Sequence, residues 1–175
     1  MTHHPAPVSK EWLEAQLDEP RRKLLYGHGP ELSMLYATLG NAPKMLTAWL
    51  DVAWSIRLDP ESPRKLRELA IVLVGQRFGA AYEVRAHQRM ARKEGATDEQ
   101  LAELTTWRDS VHFDATERAV LALVDAMVSN QVADEHTEAV EELIGPEQLI
   151  EIIMSVGYYQ MVSSVTQALR LDKRG

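Results

Sequence analysis

The chain has 175 residues, of which 45% are hydrophobic, with a formal net charge of −7 and no cysteine. That length accommodates one domain with a sizeable core and leaves little room for a second. The acidic balance argues against non-specific nucleic-acid binding, which needs clustered Lys and Arg, and the lack of cysteine excludes disulfides, thiolate nucleophiles and sulfur metal ligands from this chain.

No run of about 18 apolar residues offers a membrane span, and MTHHPAPVSKEW lacks the apolar centre of a secretion signal. A cytoplasmic location is therefore expected. Residues 1–8 carry Pro5, Pro7, His3 and His4 and read as a flexible N-terminus, followed by one helical domain over 9–175. From Ser9, a candidate cap, EWLEAQL predicts a short amphipathic helix, and PRRKLLYGHG reads as a glycine-rich turn holding His28. Pro30–Leu39 and Pro43–Leu58 each open on proline and carry apolar residues at helical spacing, with Gly40 and Asn41 between them; Asp59–Pro63 is a break.

Ser62 followed by Pro63 signals the start of a helix that Gly79 would end. Its apolar positions Leu66, Leu69, Ala70, Leu73 and Val74 predict one buried stripe. A more polar helix runs from about Ala80 to Glu94 and stops at Gly95. Thr97 with Gln100 forms a capping box for a helix through about Trp107, and Asp114 with Glu117 repeats it before a helix with Ala119, Leu123, Ala126 and Met127 on one stripe. Asp134 or Thr137 is placed to cap a helix to Ile144. Gly145 and Pro146 separate it from the last and most apolar helix, roughly Glu147–Leu171. With no Asn-Gly hairpin and no sustained period-two alternation, the reading is all-α.

The chemistry-bearing residues lie in the central pair of helices. Glu83 and His87 are four apart, which places both on one face one turn apart. Glu68 sits amid Leu66, Leu69, Ala70 and Ile71, where a carboxylate is costly unless it finds a partner. The plain alternatives are a salt-bridged pair on a solvated face for Glu83 and His87, and a surface pairing of Glu68 with Arg64 or Arg67. A histidine held by a carboxylate keeps a defined orientation and exchanges a proton at working pH, and a second carboxyl group supplies a complementary acid or base. The three together are also a set able to bind zinc, iron or manganese, but the pattern places no further ligand and no metal is expected. Tyr82 is either a donor to a substrate oxygen or a buried helix contact. Trp49, Trp54, Tyr158, Tyr159 and Met161 read as core, subunit interface or pocket lining. His112 and His136 lie near loops and read as solvated. No phosphate-binding glycine loop, nucleophile elbow or dinucleotide fingerprint is present.

Over Arg64–Glu94 the chain resembles the signature of the carboxymuconolactone decarboxylase and alkylhydroperoxidase D-like superfamily, in which a glutamate on one helix faces a Cys-x-x-Cys-x-x-x-His motif on the next. The family glutamate falls on Glu68, the two cysteines on Ala80 and Glu83, and the histidine on His87. The phrase AAYEVRAH is similar to the Tyr-Glu-Trp-x-x-His string of the cysteine-free branch, with Val84 where that branch usually has tryptophan. The resemblance implies a helical bundle of the alkylhydroperoxidase D-like type. It also implies cofactor-free acid–base chemistry, a decarboxylation or isomerisation, on a small carboxylated or lactone-like compound from aromatic breakdown. Glu68, Glu83 and His87 would be catalytic, Tyr82 would contact substrate, and a homotrimer or homohexamer would be the working unit. Thiol peroxidase chemistry is excluded, since Ala80 has no nucleophile and Glu83 cannot form a disulfide. The competing expectations are an alkylhydroperoxidase-like fold without that activity and a non-catalytic helical binding or assembly protein. Independently of the resemblance, LIEIIMSVGYYQMV is apolar on more than one face, which predicts a subunit contact at Tyr158, Tyr159 and Met161.

Overall fold

The computed structural model describes residues 5–26, 32–57 and 60–171, and no strand occurs among them. His3, His4 and His28 lie outside the described residues. The helices are α1 (Lys10–Gln16), α2 (Glu19–Leu24), α3 (Met34–Leu39), α4 (Pro43–Arg57), α5 (Arg64–Phe78), α6 (Ala81–Lys93), α7 (Asp98–Glu103), α8 (Ala115–Val128) and α9 (Asp134–Ala168). They fall into two compact units, residues 1–59 with 169–175, and residues 60–168.

In the first unit, α1 starts as expected, with Ser9 Oγ accepting the Trp12 N–H at 3.2 Å. The first part of the stretch read as a glycine-rich turn is a helix, α2, and Gly27 and Gly29 lie outside the described residues. Asp18 accepts the Arg21 N–H at 3.1 Å, and a proline occupies the first turn, so the start signal was present just upstream of the glycines. Arg21 holds α2 to α4 through paired contacts of 2.9 and 2.8 Å to Asp51. Ser33, not Pro30, caps α3, and Pro30 lies outside the described residues. The Val8 N–H donates to the Ala37 carbonyl at 2.9 Å, and Asn41 Nδ2 donates to the Ala6 carbonyl at 2.8 Å. Leu13, Leu46, Leu50 and Ala53 are fully buried, and Trp49 is buried beside them as core.

In the second unit, α5 packs against α6, α8 and α9. Its burial is not the single stripe expected: every residue from Leu66 to Gly75 is buried, Arg67 and Glu68 included. Pro63 stands at the cap position without a side-chain cap. Ser62 has a different job: its Oγ accepts from Arg67 Nη1 at 2.8 Å, and the same guanidinium donates to the Ser62 carbonyl. The helix closes at Gly79, whose φ of 66° is the left-handed region, with the Ala80 N–H donating to the Gly75 carbonyl at 2.8 Å. Gly75 serves a different need, because a Cβ there would stand 2.9 Å from Val84 Cγ2, so the missing side chain lets α6 approach α5.

Both expected capping boxes are present, at Thr97 with Gln100 and at Asp114 with Glu117. The helix after Thr97 ends sooner than expected, passing at Leu104 into a 3-10 turn through Thr106. On α8 the buried apolar positions are Val120, Leu121, Leu123, Val124 and Ala126, while Ala119 and Met127 sit at the edge of that face. Asp134 opens α9 rather than capping it. His136 Nδ1 accepts the Ala133 N–H at 3.1 Å, and Thr137 Oγ1 donates to the Asp134 carbonyl. The break expected at Gly145 is there, with φ 82° and ψ 168° ahead of Pro146. Tyr158 and Tyr159 are buried inside the chain and are not exposed subunit-contact residues; Met161, at 43%, is exposed.

The loop entering α5 is tied to α9 by one side chain. The Glu151 carboxylate accepts the backbone N–H groups of Glu61 and Ser62 at 2.9 and 2.7 Å. Burial works to raise its pKa, but hydrogen bonds from Ser62 and Glu61 and the nearby Arg67 guanidinium outweigh burial and hold the carboxyl below the usual range. A folded-state pKa below the unfolded value of about 4.3 contributes stability above that pH, lost as pH falls through the folded value. Glu151→Gln, which keeps one acceptor, is therefore expected to lower stability at pH 7 by about 1–2 kcal/mol. Urea unfolding at pH 7 and pH 3 checks this: the gap between variant and parent narrows at the lower pH.

Candidate active site

The Gly79 turn folds α6 back along α5. Although α6 is polar overall, its buried positions are Glu83, His87 and Ala91, so two of the three carry titratable groups. The spacing from 83 to 87 to 91 is one turn each time, so this is the interior face of the helix. Glu68 meets it from α5. His87 Nδ1 lies 2.7 Å from Glu68 Oε2, and Nε2 of the same ring lies 3.6 Å from Glu83 Oε2. All three residues are buried, at 4%, 6% and 4% exposure for Glu68, Glu83 and His87.

The two carboxylates hold different positions. Glu68 has a charge partner on its other oxygen, where Arg64 Nε stands 3.4 Å from Oε1, and Arg64 also lies 3.9 Å from Glu94 Oε1. With Oε1 of Glu68 facing Arg64, Oε2 accepts from the imidazole Nδ1–H, and this bond orients the ring and leaves Nε2 facing Glu83. The surface pairing with Arg64 and the buried pairing with His87 thus occur together, one on each oxygen of Glu68. Arg67, the other partner considered, turns to Ser62.

Tyr159 of α9 completes the surroundings of the histidine. Its ring lies edge-on to the imidazole, with centroids 4.7 Å apart and planes at 80°, and Tyr158 packs edge-on to Tyr159 at 5.3 Å. The pair was legible as aromatic residues on the last helix, but no spacing linked it to a histidine so distant in sequence. Tyr82 is 41% exposed on the first turn of α6, while its neighbour Glu83 points inward. His112 is half exposed and 3.8 Å from Glu103, and His136 serves the start of α9, so neither belongs to this cluster. Among the described residues, no group of three or more His, Asp or Glu side chains is arranged to hold a metal ion.

This fold and site define a class: an all-helical protein in which adjacent helices bring a glutamate and a histidine together in the interior. Residues 43–126, just under half of the chain, match the model of the Carboxymuconolactone decarboxylase family, a span that contains Glu68, Glu83 and His87. The uncharacterized protein YdfG of Bacillus subtilis (strain 168) is 27% identical over 109 residues, covering 61% of this chain and 74% of that protein. Two solved structures share the fold. A variant of the debrominase Bmp8 in complex with 2,3,4-tribromopyrrole superposes with a TM-score of 0.78 at 18% identity, covering 97% of this chain and 91% of that one. An AhpD-like protein of unknown function from Agrobacterium tumefaciens gives 0.67 at 18% identity, covering 75% and 92%. Residues 43–126 are thus similar to the carboxymuconolactone decarboxylase family, the fold is that of AhpD-like helical proteins, and the lack of cysteine fits the cysteine-free branch.

The contact between Glu68 and His87 is expected to act as a unit in stability. Removing one partner leaves the other buried without its hydrogen bond, whereas removing both does not. A double-mutant cycle on Glu68→Ala and His87→Ala, read by chemical denaturation, should give a coupling energy of about 1–3 kcal/mol.

Proposed function

We propose that the protein is an enzyme of the carboxymuconolactone decarboxylase type that moves protons at carbon next to a carbonyl on a small carboxylated or lactone-like compound. The reading rests on one observation above all, an imidazole held in the interior between two carboxylates from two helices. Glu68, fixed by Arg64, orients the ring. His87 Nε2 is the working atom, and Glu83 is the second proton carrier beside it.

In an isomerisation, His87 takes a proton from the carbon next to the carbonyl, the electron pair moves into an enolate, and a protonated group, Glu83 or the imidazolium itself, returns a proton at the new position. In a decarboxylation, the bond to the carboxylate carbon breaks, its electrons form the same kind of enolate as carbon dioxide leaves, and imidazolium protonates the carbon. Both routes use one base and one acid and balance without a redox partner. Tyr82, exposed beside Glu83, meets the substrate from the solvent side.

The test is turnover of muconolactones, carboxylated lactones and related aromatic breakdown products by the purified protein. His87→Ala should reduce kcat on the active compound by about 100- to 10,000-fold, the usual weight of a positioned acid–base group. No turnover of any such compound by the parent, or equal turnover by the variant, would sink the reading.

We further propose that the working unit is a homotrimer or homohexamer. With Tyr158 and Tyr159 inside the chain, the exposed large apolar side chains of α9 beyond the Gly145 break are Ile150, Met154 and Met161 at 57%, 52% and 43%, spaced to share one face. Light scattering at micromolar concentration should report a multiple of 19.7 kDa, and Met154→Lys should shift the protein toward single chains.

A further inference from the structure

Charge is segregated by sign on the outer faces of two helices. Glu83, His87 and Ala91 take the inner side of α6, and the opposite, exposed side carries Arg85, Arg89, Arg92 and Lys93 within about 100° of arc. No acid stands in that sector, although the chain as a whole carries −7. Among the described residues, the ion pairs of α6 are those of His87 and of Arg92, which reaches Asp98 at 2.8 Å. Arg85, Arg89 and Lys93 form a line of cations one turn apart, with no side-chain partner among those residues.

The reverse pattern lies on the first part of α9, ahead of the Gly145 break. Asp134, Glu135, Glu138, Glu141 and Glu142 are all exposed, fall within about 120° of arc and stand opposite the buried Val140. None of these carboxylates has an ion pair or hydrogen bond among the described residues, and no Lys or Arg occurs from Asp134 to Ile144.

A charged helix face is commonly just solvated, and charges of mixed sign then support the helix as pairs three or four residues apart. Other surface charges of this chain follow that rule: Lys10 pairs with Glu14, Lys23 with Glu19, Arg21 with Asp18 and Asp51, and Arg77 with Asp125. On α6 and α9 the same spacing sets like charges side by side. Arg85 and Arg89, Arg89 and Lys93, Asp134 and Glu138, and Glu138 and Glu142 each repel within their own helix.

We infer that the basic face of α6 docks on the acidic face of α9 of a second copy of this chain. The stretches Arg85–Lys93 and Asp134–Glu142 each run about 12 Å along their helix, so the two lines match in length and each supplies the partners that the other lacks. Copies that each carry −7 repel at a distance, and a stable contact between them needs local complementarity of this kind. Two different faces of one chain make a head-to-tail contact, the kind that closes a ring of three. The inference rests on the reading that the chain is a homo-oligomer. It adds which faces join the copies, and it sets the helix that carries Glu83 and His87 against a neighbouring subunit.

The experiment measures mass by light scattering at micromolar concentration for the parent, for Arg85→Glu with Arg89→Glu, for Glu138→Arg with Glu142→Arg, and for the variant with all four substitutions. Each two-site reversal sets like charges across the contact and should weaken assembly by about 100-fold or more. The four-site variant exchanges the signs of the two faces and should assemble within about tenfold of the parent, a recovery that damage to the fold cannot produce. Two-site variants that assemble as the parent does would overturn the docking and leave the homo-oligomer reading standing. A four-site variant no better than the two-site ones would overturn the docking as well. A parent that stays at the 19.7 kDa of one chain overturns both readings and leaves the two faces to partners other than this chain. A parent dimer that the reversals split and the exchange restores supports the docking and removes the trimer and hexamer.

Discussion

A carboxylate in the middle of an apolar helix must find a partner, and the Glu68–His87 contact is how this fold meets that demand. α5 is buried on every side from Leu66 to Gly75, so Glu68 has no route to bulk water along its own helix. Its charge is answered at both oxygens, by Arg64 from the partly exposed end of the same helix and by the imidazole from α6. Burial of a charged group costs several kcal/mol unless the pairing geometry is good. A 2.7 Å contact with a second charge partner one turn away is good geometry. The interaction therefore fixes where α6 lies against α5 as much as it fixes the histidine.

The turn between these helices makes the contact possible. Gly79 takes a left-handed conformation that a side chain would strain, and Gly75 has no side chain where Val84 comes close. Together they set both the reversal of the chain and the separation of the two axes. The polar character of α6 then follows from its surroundings. Most of the helix faces away from the core, and the few positions that face inward are matched to Glu68 rather than to the leucines around it.

Much of this was legible in the sequence because it rests on local rules. Ser9, Thr97 and Asp114 cap helices with side chains only a few residues from their targets, and Gly79 and Gly145 break helices by backbone conformation alone. Four-residue spacing was enough to put Glu83 and His87 on one face. What stayed hidden depends on partners distant in the chain. Ser62 looks like a helix cap, yet it serves Arg67, because Glu151 from α9 takes the loop's backbone donors. The spacing of apolar residues on α5 predicts one stripe because it cannot register that three other helices surround it. Tyr159 resembled an interface residue because its helix is apolar on several faces, and only packing against α6 reveals it as the ring beside His87.

The two positions where the superfamily motif has sulfur show what replaced it. Ala80 is fully buried and Glu83 is buried at 6% exposure, so both positions face the interior. Ala80 offers no nucleophile at the first, and Glu83 at the second puts a carboxylate oxygen 3.6 Å from His87 Nε2. A cysteine pair stores two electrons in a bond between sulfurs, while a carboxylate beside an imidazole can store only a proton. With no sulfur at either position, the histidine nitrogen turned away from Glu68 stands beside a carboxylate, a group that can exchange protons but not electrons.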